Sequence, residues 1–296
     1  SHFTVGASDK TNKNGQQYVA YLFGHNESAF GPDENKPISS CGNYIGNAGT
    51  KTVTLGWEPQ LVILKKTSSG GNGYWYTLTN LTGYTAPAGA GDLFNALQNN
   101  MQSSGYNFGY ITSDGFVIEG SNGDINENGG EMIFYAVRKA DGVTGKGGTG
   151  DPTKVFKVGV GSSAVNEPNF RTSFPVEMGW YMSKTTDDNK KCWFRKINSS
   201  TDGRAIMLNN GSTYDSDSEY KCTHFTNGFI TGAGSAGNDV FLAWKASRGF
   251  DTVSWKGNGS SGRQIVHNLG QTPEFMVVRR HDGVEDWTTY HKGANG

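Results

Sequence analysis

The chain has 296 residues, with 26 Lys plus Arg against 27 Asp plus Glu, a formal net charge of -1, 43 Gly and 8 Pro. That balance argues against a nucleic-acid or membrane-surface binder working through bulk electrostatics, and no apolar run approaches the ~18 residues of a membrane-spanning helix. Glycine is about twice its usual ~7% share, has no collagen period and lies between aromatic and β-branched segments, so we expect an all-β protein dense in turns, with two or three domains at this length.

Taken in chain order, Phe3-Thr4-Val5 leads through Asn12-Lys13-Asn14-Gly15 to Tyr18-Val19-Ala20-Tyr21-Leu22-Phe23. Asn-Gly supplies the positive φ that hairpin turns need, so this reads as a hairpin. Strands are expected at Lys51–Thr54, Leu61–Lys65 and Tyr74–Leu78, then at Phe116–Glu119 and Met132–Arg138, the last two joined through Asn126-Glu127-Asn128-Gly129. Between them, Leu93, Ala96 and Leu97 share a helical face. Asp92–Asn100 is therefore expected to be a short helix or packed loop, with Ala205–Asn210 as a weaker counterpart. Gly228-Phe229-Ile230 leads through Ser235-Ala236-Gly237-Asn238 to Asp239–Lys245 and repeats the earlier hairpin.

Self-similarity organises these elements. Leu55-Gly56-Trp57-Glu58-Pro59, an apolar run closed by Lys65-Lys66, and Trp75 recur as Leu269-Gly270-Gln271-Thr272-Pro273, a run closed by Arg279-Arg280, and Trp287. A worn copy reads Phe174-Pro175, Met178–Met182, Lys184 and Trp193. The expected fold is tandem, jelly-roll-like β-sandwich repeats of about 100 residues. One unit covers residues 39–142, a Gly-rich linker 143–154, and a divergent unit 155–247. The third is split, its N-terminal half at 250–296 and its C-terminal half at 1–25, and the two halves are expected to pack together. The chain reads as a cut through a longer repeating array, and no signal peptide is expected before Ser1.

The residues that could carry chemistry are few. Cys41, Cys192 and Cys222 are too sparse for a disulfide scaffold; Cys192 and Cys222 would pair only if their strands are neighbours, and free buried thiols are the reading we prefer. The 6 histidines show no metal-ligand spacing, so neither metal nor cofactor is expected. Asp124-Ile125-Asn126-Glu127-Asn128-Gly129 partly matches a calcium loop, but its twelfth position is Tyr135 within a core strand, so a polar hairpin turn is expected. Residues 213–219 crowd Asp215, Asp217 and Glu219 into a solvated loop. Glu285 and Asp286, with His281 and His291 nearby, could line a carbohydrate cleft, although strand alternation sends sequence neighbours to opposite faces. Trp75, Trp193 and Trp287 recur at one repeat position and are expected in the core. Trp57, Trp180 and Trp255 lie outside the pattern and are expected to be free to expose a ring to a sugar. The basic pairs Lys65/Lys66 and Arg279/Arg280 are expected as solvated strand ends, and the sequons at Asn26, Asn80, Asn198, Asn210 and Asn258 as chance.

The Leu-Gly-x-x-Pro element, the apolar run with two basic residues, Trp287 to Lys292, Phe3 to Val5 and Tyr18 to Phe23 together resemble a repeat domain of bacteriophage tail fibres and related virion proteins of the marine and cyanophage type. The second unit departs from the pattern, lacking Leu-Gly-x-x-Pro and carrying Asp239 where an aromatic would sit. The resemblance implies a non-enzymatic virion component on a tail or other external appendage, serving architecture and attachment to a host-surface glycan beside other virion proteins. It implies either a homotrimeric fibre or three repeats closing a pseudo-threefold ring, and no catalytic residue. The alternatives are a capsid decoration protein and a polysaccharide depolymerase.

Overall fold

The computed structural model describes residues 1–25, 37–68, 75–79, 91–95, 103–106, 108–139, 152–162, 168–182, 191–194, 204–207, 222–231 and 239–295. The N-terminal segment forms β1 (His2–Val5), a one-turn helix α1 (Asp9–Asn12) and β2 (Gln17–Phe23). Next come β3 (Ser39–Ile45), β4 (Lys51–Thr54), β5 (Pro59–Lys66), β6 (Trp75–Thr79), β7 (Gly91–Asn95), β8 (Ser103–Tyr106), β9 (Gly109–Thr112), β10 (Gly115–Ile118) and β11 (Glu131–Arg138). After a 3-10 turn at Pro152–Lys154 run β12 (Phe156–Val160), β13 (Phe170–Arg171), β14 (Met178–Met182), β15 (Lys191–Phe194), β16 (Arg204–Met207), β17 (Cys222–Phe225), β18 (Gly228–Thr231) and β19 (Val240–Trp244). β20 (Phe250–Lys256), β21 (Arg263–Val266), β22 (Phe275–Arg280), β23 (Thr288–His291) and the one-turn helix α2 (Lys292–Asn295) follow.

The fold is all-β, and one arrangement is built three times. In the first sandwich the large sheet has the order β3-β11-β5-β6-β7-β8 and faces a small sheet β4-β10-β9. The second sandwich repeats this as β12-β19-β14-β15-β16 over β13-β18-β17. In the third, β20-β2-β22-β23 faces β1-β21. Here the two ends of the chain pair directly: Tyr18 lies opposite Trp255 on one side and Arg280 on the other, and Phe3 lies opposite Ile265. By contact the chain divides into two compact units, one of Ser1–His25 with Thr153–Tyr290, the other of Asn26–Pro152 with His291–Gly296.

Period-two alternation puts one set of side chains between each pair of sheets. In the first sandwich Met132, Phe134 and Ala136 of β11 meet Phe116 and Ile118 of β10 and Val62 and Leu64 of β5. In the third, Tyr18, Ala20 and Leu22 meet Phe3, Val5 and Ile265. Among the described residues the second core is aromatic, with Phe170, Phe229 and Phe241 in mutual ring contact. The opposite faces of the large sheets are apolar too. Ile133, Tyr135 and Val137 are buried in the first sandwich, and Val19, Tyr21 and Phe23 in the third. Within the unit that holds both, the second and third sandwiches meet through such faces. Trp244 lies 6.2 Å from Phe23 and 5.7 Å from Phe250 between ring centroids, and the Thr252 hydroxyl donates to Glu177 Oε1 at 2.7 Å.

The hairpins expected from Phe3–Val5 to Tyr18–Phe23, from Phe116–Glu119 to Met132–Arg138 and from Gly228–Ile230 to Asp239–Lys245 are corrected here. β1 and β2, β10 and β11, and β18 and β19 each lie in different sheets, so the Asn/Gly-rich turns carry the chain from one sheet to the other. Of Asp92–Asn100 and Ala205–Asn210, expected as a short helix or packed loop, residues 92–95 and 205–207 lie in strands β7 and β16, and residues 96–100 and 208–210 lie outside the described residues. Pairing with β6 and β15 overrides the local helical spacing. Cys192 and Cys222 lie on β15 and β17, which belong to different sheets, so their strands are not ladder neighbours. Cys41 is a buried free thiol.

Candidate functional site

The tryptophans separate by environment. Trp57 follows β4 in the Leu-Gly-x-x-Pro loop and is half-buried, packed against the edge of the first core. Beside it Glu58 holds Lys139 at 2.6 Å. Trp180 and Trp255, expected to be free to expose a ring, are buried. Trp180 sits on β14 with its ring edge-on to Trp244 at 5.1 Å. Trp255 stacks on Tyr18 at 5.6 Å, meets Phe3 edge-on at 5.7 Å, and donates its Nε1–H to the Thr11 carbonyl at 3.2 Å. Trp180 lies on the central strand of its sheet and Trp255 near the end of the edge strand β20, and neighbouring rings cover both, so a position outside the repeat pattern does not leave a ring free. Of the three candidates, Trp57 alone keeps an accessible ring.

The basic pairs also depart from expectation. Arg279 is fully buried with its guanidinium over the Trp287 ring at 5.2 Å, and Lys65 stands 5.2 Å over Trp75. Burial pushes the Lys65 amine below its ordinary range, against a smaller upward pull from Asp124. Lys66 is buried and ion-paired to Glu127 at 2.5 Å, while Arg280 reaches Asp282 at 2.9 Å and Glu285 at 3.8 Å. Lys66 and Arg279 are thus buried rather than solvated strand ends, while Lys65 and Arg280 are half-buried, one over an aromatic face and the other on partly exposed carboxylates. Glu285 is thereby engaged by Arg280, while His281 and His291 are buried and Asp286 is exposed.

The partial calcium loop has another purpose. Asp124 accepts the Tyr76 hydroxyl at 2.8 Å. Asn126, fully buried, donates Nδ2 to the carbonyls of Gly49 and Gly120, both at 2.7 Å, and its Oδ1 accepts the Asn47 N–H at 3.0 Å. The Asp124 carboxylate is taken by a tyrosine hydroxyl and the Asn126 amide by backbone groups, so the two do not converge on a common cation. Among the described residues no group of three or more His, Cys, Asp or Glu could hold a metal ion. The acidic cluster of residues 213–219 and the sequons at Asn26, Asn80, Asn198 and Asn210 lie outside the described residues.

The third sandwich contains the same asparagine clasp, which reading the turns as plain hairpins misses. Asn12, fully buried, donates Nδ2 to Gly6 O at 3.1 Å, Asn258 Oδ1 at 3.1 Å and Ser260 O at 2.7 Å, and accepts the Asn258 N–H at 3.1 Å. Gly46 and Gly257 occupy matching places. A Cβ there would run into the backbone carbonyls of Glu127 and Lys13 respectively, so only glycine lets the two loops touch. One backbone position of each clasp lies in the left-handed region, filled by Gly259 (φ 71°) in one and by Ala48 (φ 54°) in the other. The signal was in the sequence: Asn-x-Asn-Gly occurs in both turns, each preceded by a glycine six residues before its first asparagine, and each is matched by a Gly-Asn pair, Gly46-Asn47 or Gly257-Asn258.

Two further polar groups are held in the split sandwich. His267 is buried against Phe3, and its Nδ1 accepts the Leu269 N–H at 3.2 Å. Burial, then the N-terminal ammonium, lowers its pKa, Asp251 opposes, and His2 lowers it slightly further. Tyr18 donates its hydroxyl to Asp9 O at 2.6 Å and accepts the Lys13 N–H at 2.9 Å, tying α1 to the sheet.

The family model described as "Domain of unknown function (DUF7483)" matches residues 1–140 and 225–296, well over half of the chain. The chain belongs to this family. The matched stretches take in both clasps, the Leu-Gly-x-x-Pro elements and the paired ends of the split sandwich. They leave out residues 141–224, where the second repeat departs from the motif. No curated protein and no solved structure matches the chain.

Proposed function

We propose that this chain is a non-enzymatic component of a phage virion, a tail-fibre or appendage module that serves architecture and attaches to a host-surface glycan. The observation that carries the reading is the threefold use of one sandwich with one strand order, in a chain whose repeat motif resembles virion repeat domains. Linked copies raise effective concentration at a surface without new contacts, an advantage for attachment and none for turnover. Cations and carboxylates near the strand ends are engaged with one another and with aromatic rings, which is the use a scaffold makes of them. In this reading Trp57 is the contact residue, its half-buried ring presenting an apolar face to a sugar beside the Glu58–Lys139 pair.

A glycan array with the intact chain tests the proposal. Binding to a host-surface glycan that falls at least tenfold in Trp57→Ala, with unchanged thermal unfolding, is the expected result; tenfold corresponds to about 1.4 kcal/mol. Release of reducing ends from host polysaccharide would replace the attachment reading with the depolymerase one. Failure to bind any glycan would leave architecture alone.

A further inference from the structure

Five Asn-Gly pairs lie among the described residues, and they differ in one respect that bears on covalent chemistry. An asparagine followed by glycine is prone to cyclise, because no Cβ hinders approach of the glycine nitrogen to the side-chain carbonyl carbon. Asn14, Asn128, Asn227 and Asn258 are all exposed. Their glycines are nonetheless held. Gly15 donates its N–H to Gly257 O at 3.0 Å, Gly129 to Gly46 O at 3.0 Å and Gly259 to Asn12 O at 2.7 Å. Gly228 is buried and pairs with Phe225 in the β17–β18 ladder. The fifth pair, Asn122-Gly123, sits in the connection between β10 and β11. Gly123 is exposed, its N–H has no acceptor among the described residues, and a Cβ placed on it would meet nothing within 4 Å.

The turn itself does not call for asparagine. Asn122 Oδ1 accepts the Asp124 N–H at 2.8 Å, and Asn122 O accepts the Asn126 N–H at 2.8 Å. In the third sandwich Ser8 fills the same corner. Its Oγ accepts the Lys10 N–H at 3.3 Å and its carbonyl accepts the Asn12 N–H at 2.8 Å, with Asp9 where the first sandwich has Gly123. One clasp thus rests on an inert corner and the other on a reactive pair.

We propose that Asn122-Gly123 is a site of spontaneous modification, and that its conversion to isoaspartate, with water as co-reactant, releases the first asparagine clasp. The Gly123 nitrogen gives its proton to solvent hydroxide and bonds to Asn122 Cγ. The Cγ–Nδ2 bond breaks, and ammonia leaves with a proton taken from water. Water then adds to either carbonyl of the cyclic imide and opens it, leaving aspartate or isoaspartate. One water is consumed and one ammonia released, with nothing oxidised or reduced. In isoaspartate the chain runs through Cβ and Cγ, one methylene longer, and the former Asn122 carbonyl becomes a free carboxylate. The Asn126 N–H loses that fixed acceptor, and Asn126 is the residue whose side chain bridges Gly49 O and Gly120 O. The third sandwich, with Ser8-Asp9, keeps its clasp. This site is independent of the attachment reading, because it depends on one turn and not on Trp57.

The test incubates the intact chain in mildly alkaline buffer and follows conversion by peptide mass spectrometry and isoaspartyl methyl transfer. The expected result is conversion at Asn122 at least tenfold faster than at Asn14, Asn128, Asn227 or Asn258. The gap should close in denaturant, where every glycine N–H is released. In the converted chain the Asn126 amide should exchange its hydrogen at least tenfold faster, while the Asn258 amide of the other clasp is unchanged. Asn122→Ser, which copies the corner at Ser8, should form no isoaspartate and keep slow exchange at Asn126 through the same incubation. Equal or faster conversion at any of the other four pairs in the folded chain overturns the proposal. So does an equal gap in denaturant, which would trace the difference to sequence alone. Isoaspartate at position 122 with unchanged Asn126 exchange overturns the release of the clasp.

Discussion

Asn12, at the end of α1 between β1 and β2, fastens that connection to the loop after β20, and its substitution separates donor chemistry from shape. Its Nδ2 lies within 3.1 Å of three acceptors and its Oδ1 takes one backbone N–H, all from a side chain with no exposed surface. Asn12→Ala removes two N–H donors and one acceptor. At about 1 kcal/mol net for each bond, with a further cost for the stranded Asn258 N–H, the loss is about 2–4 kcal/mol. Asn12→Asp keeps the shape but turns a carboxylate toward three acceptors, so it should cost more than alanine near neutral pH and recover as acid protonates it. Denaturant unfolding followed by tryptophan fluorescence reads both, because Trp255 belongs to the same core, and exchange of the Asn258 amide localises the effect. Asn126→Ala should behave alike in the first sandwich. As the clasps share no residue, the two losses should add to within about 0.5 kcal/mol. A cost for Asn12→Ala below about 0.5 kcal/mol, the range of an ordinary surface change, would refute the clasp as a structural element.

Ala48→Gly should stabilise the first sandwich by about 0.5–1 kcal/mol, because Ala48 sits at φ 54° where the third sandwich has Gly259; thermal unfolding of the single variant checks this. His267 has a folded-state pKa lowered chiefly by burial, so as pH falls the unfolded chain takes the proton first. Its penalty is absent well above roughly pH 6.5, grows below that value, and levels off once the folded histidine protonates. His267→Asn keeps an acceptor for the Leu269 N–H without titrating, and its unfolding midpoint should fall less than wild type between roughly pH 7 and 5. An identical pH slope in both proteins would refute this assignment.

Much of the strand inventory was legible because the repeat unit keeps its apolar run, basic closure and Asn-Gly turns in register. Leu61–Lys65 and Met132–Arg138 fall inside β5 and β11. Gly15 and Gly129 adopt the positive φ that Asn-Gly implied. Other features depend on contacts between segments distant in sequence. Leu93, Ala96 and Leu97 are spaced for a helix, yet β7 forms because β6 offers a ladder. Arg279-Arg280 looks like a solvated end because nothing local shows that Trp287 will lie over Arg279. Trp255 looked free for the same reason: Tyr18 and Phe3, its stacking partners, lie more than two hundred positions earlier. The asparagine clasps show the converse, a pattern visible twice in the sequence but mute until the buried carbonyls it serves are known.

The pairing of β1 and β2 with β20, β21 and β22 also sets an order of events during synthesis. The first two sandwiches can close as their own strands emerge, but Tyr18 and Phe3 have no sheet to join until residues 250–280 leave the ribosome. At ~5–20 residues per second, β1 and β2 wait on the order of 10–50 s with their apolar side chains uncovered. Through that interval they are open to the protection a chaperone gives, and among the described strands only β23 joins its sheet later.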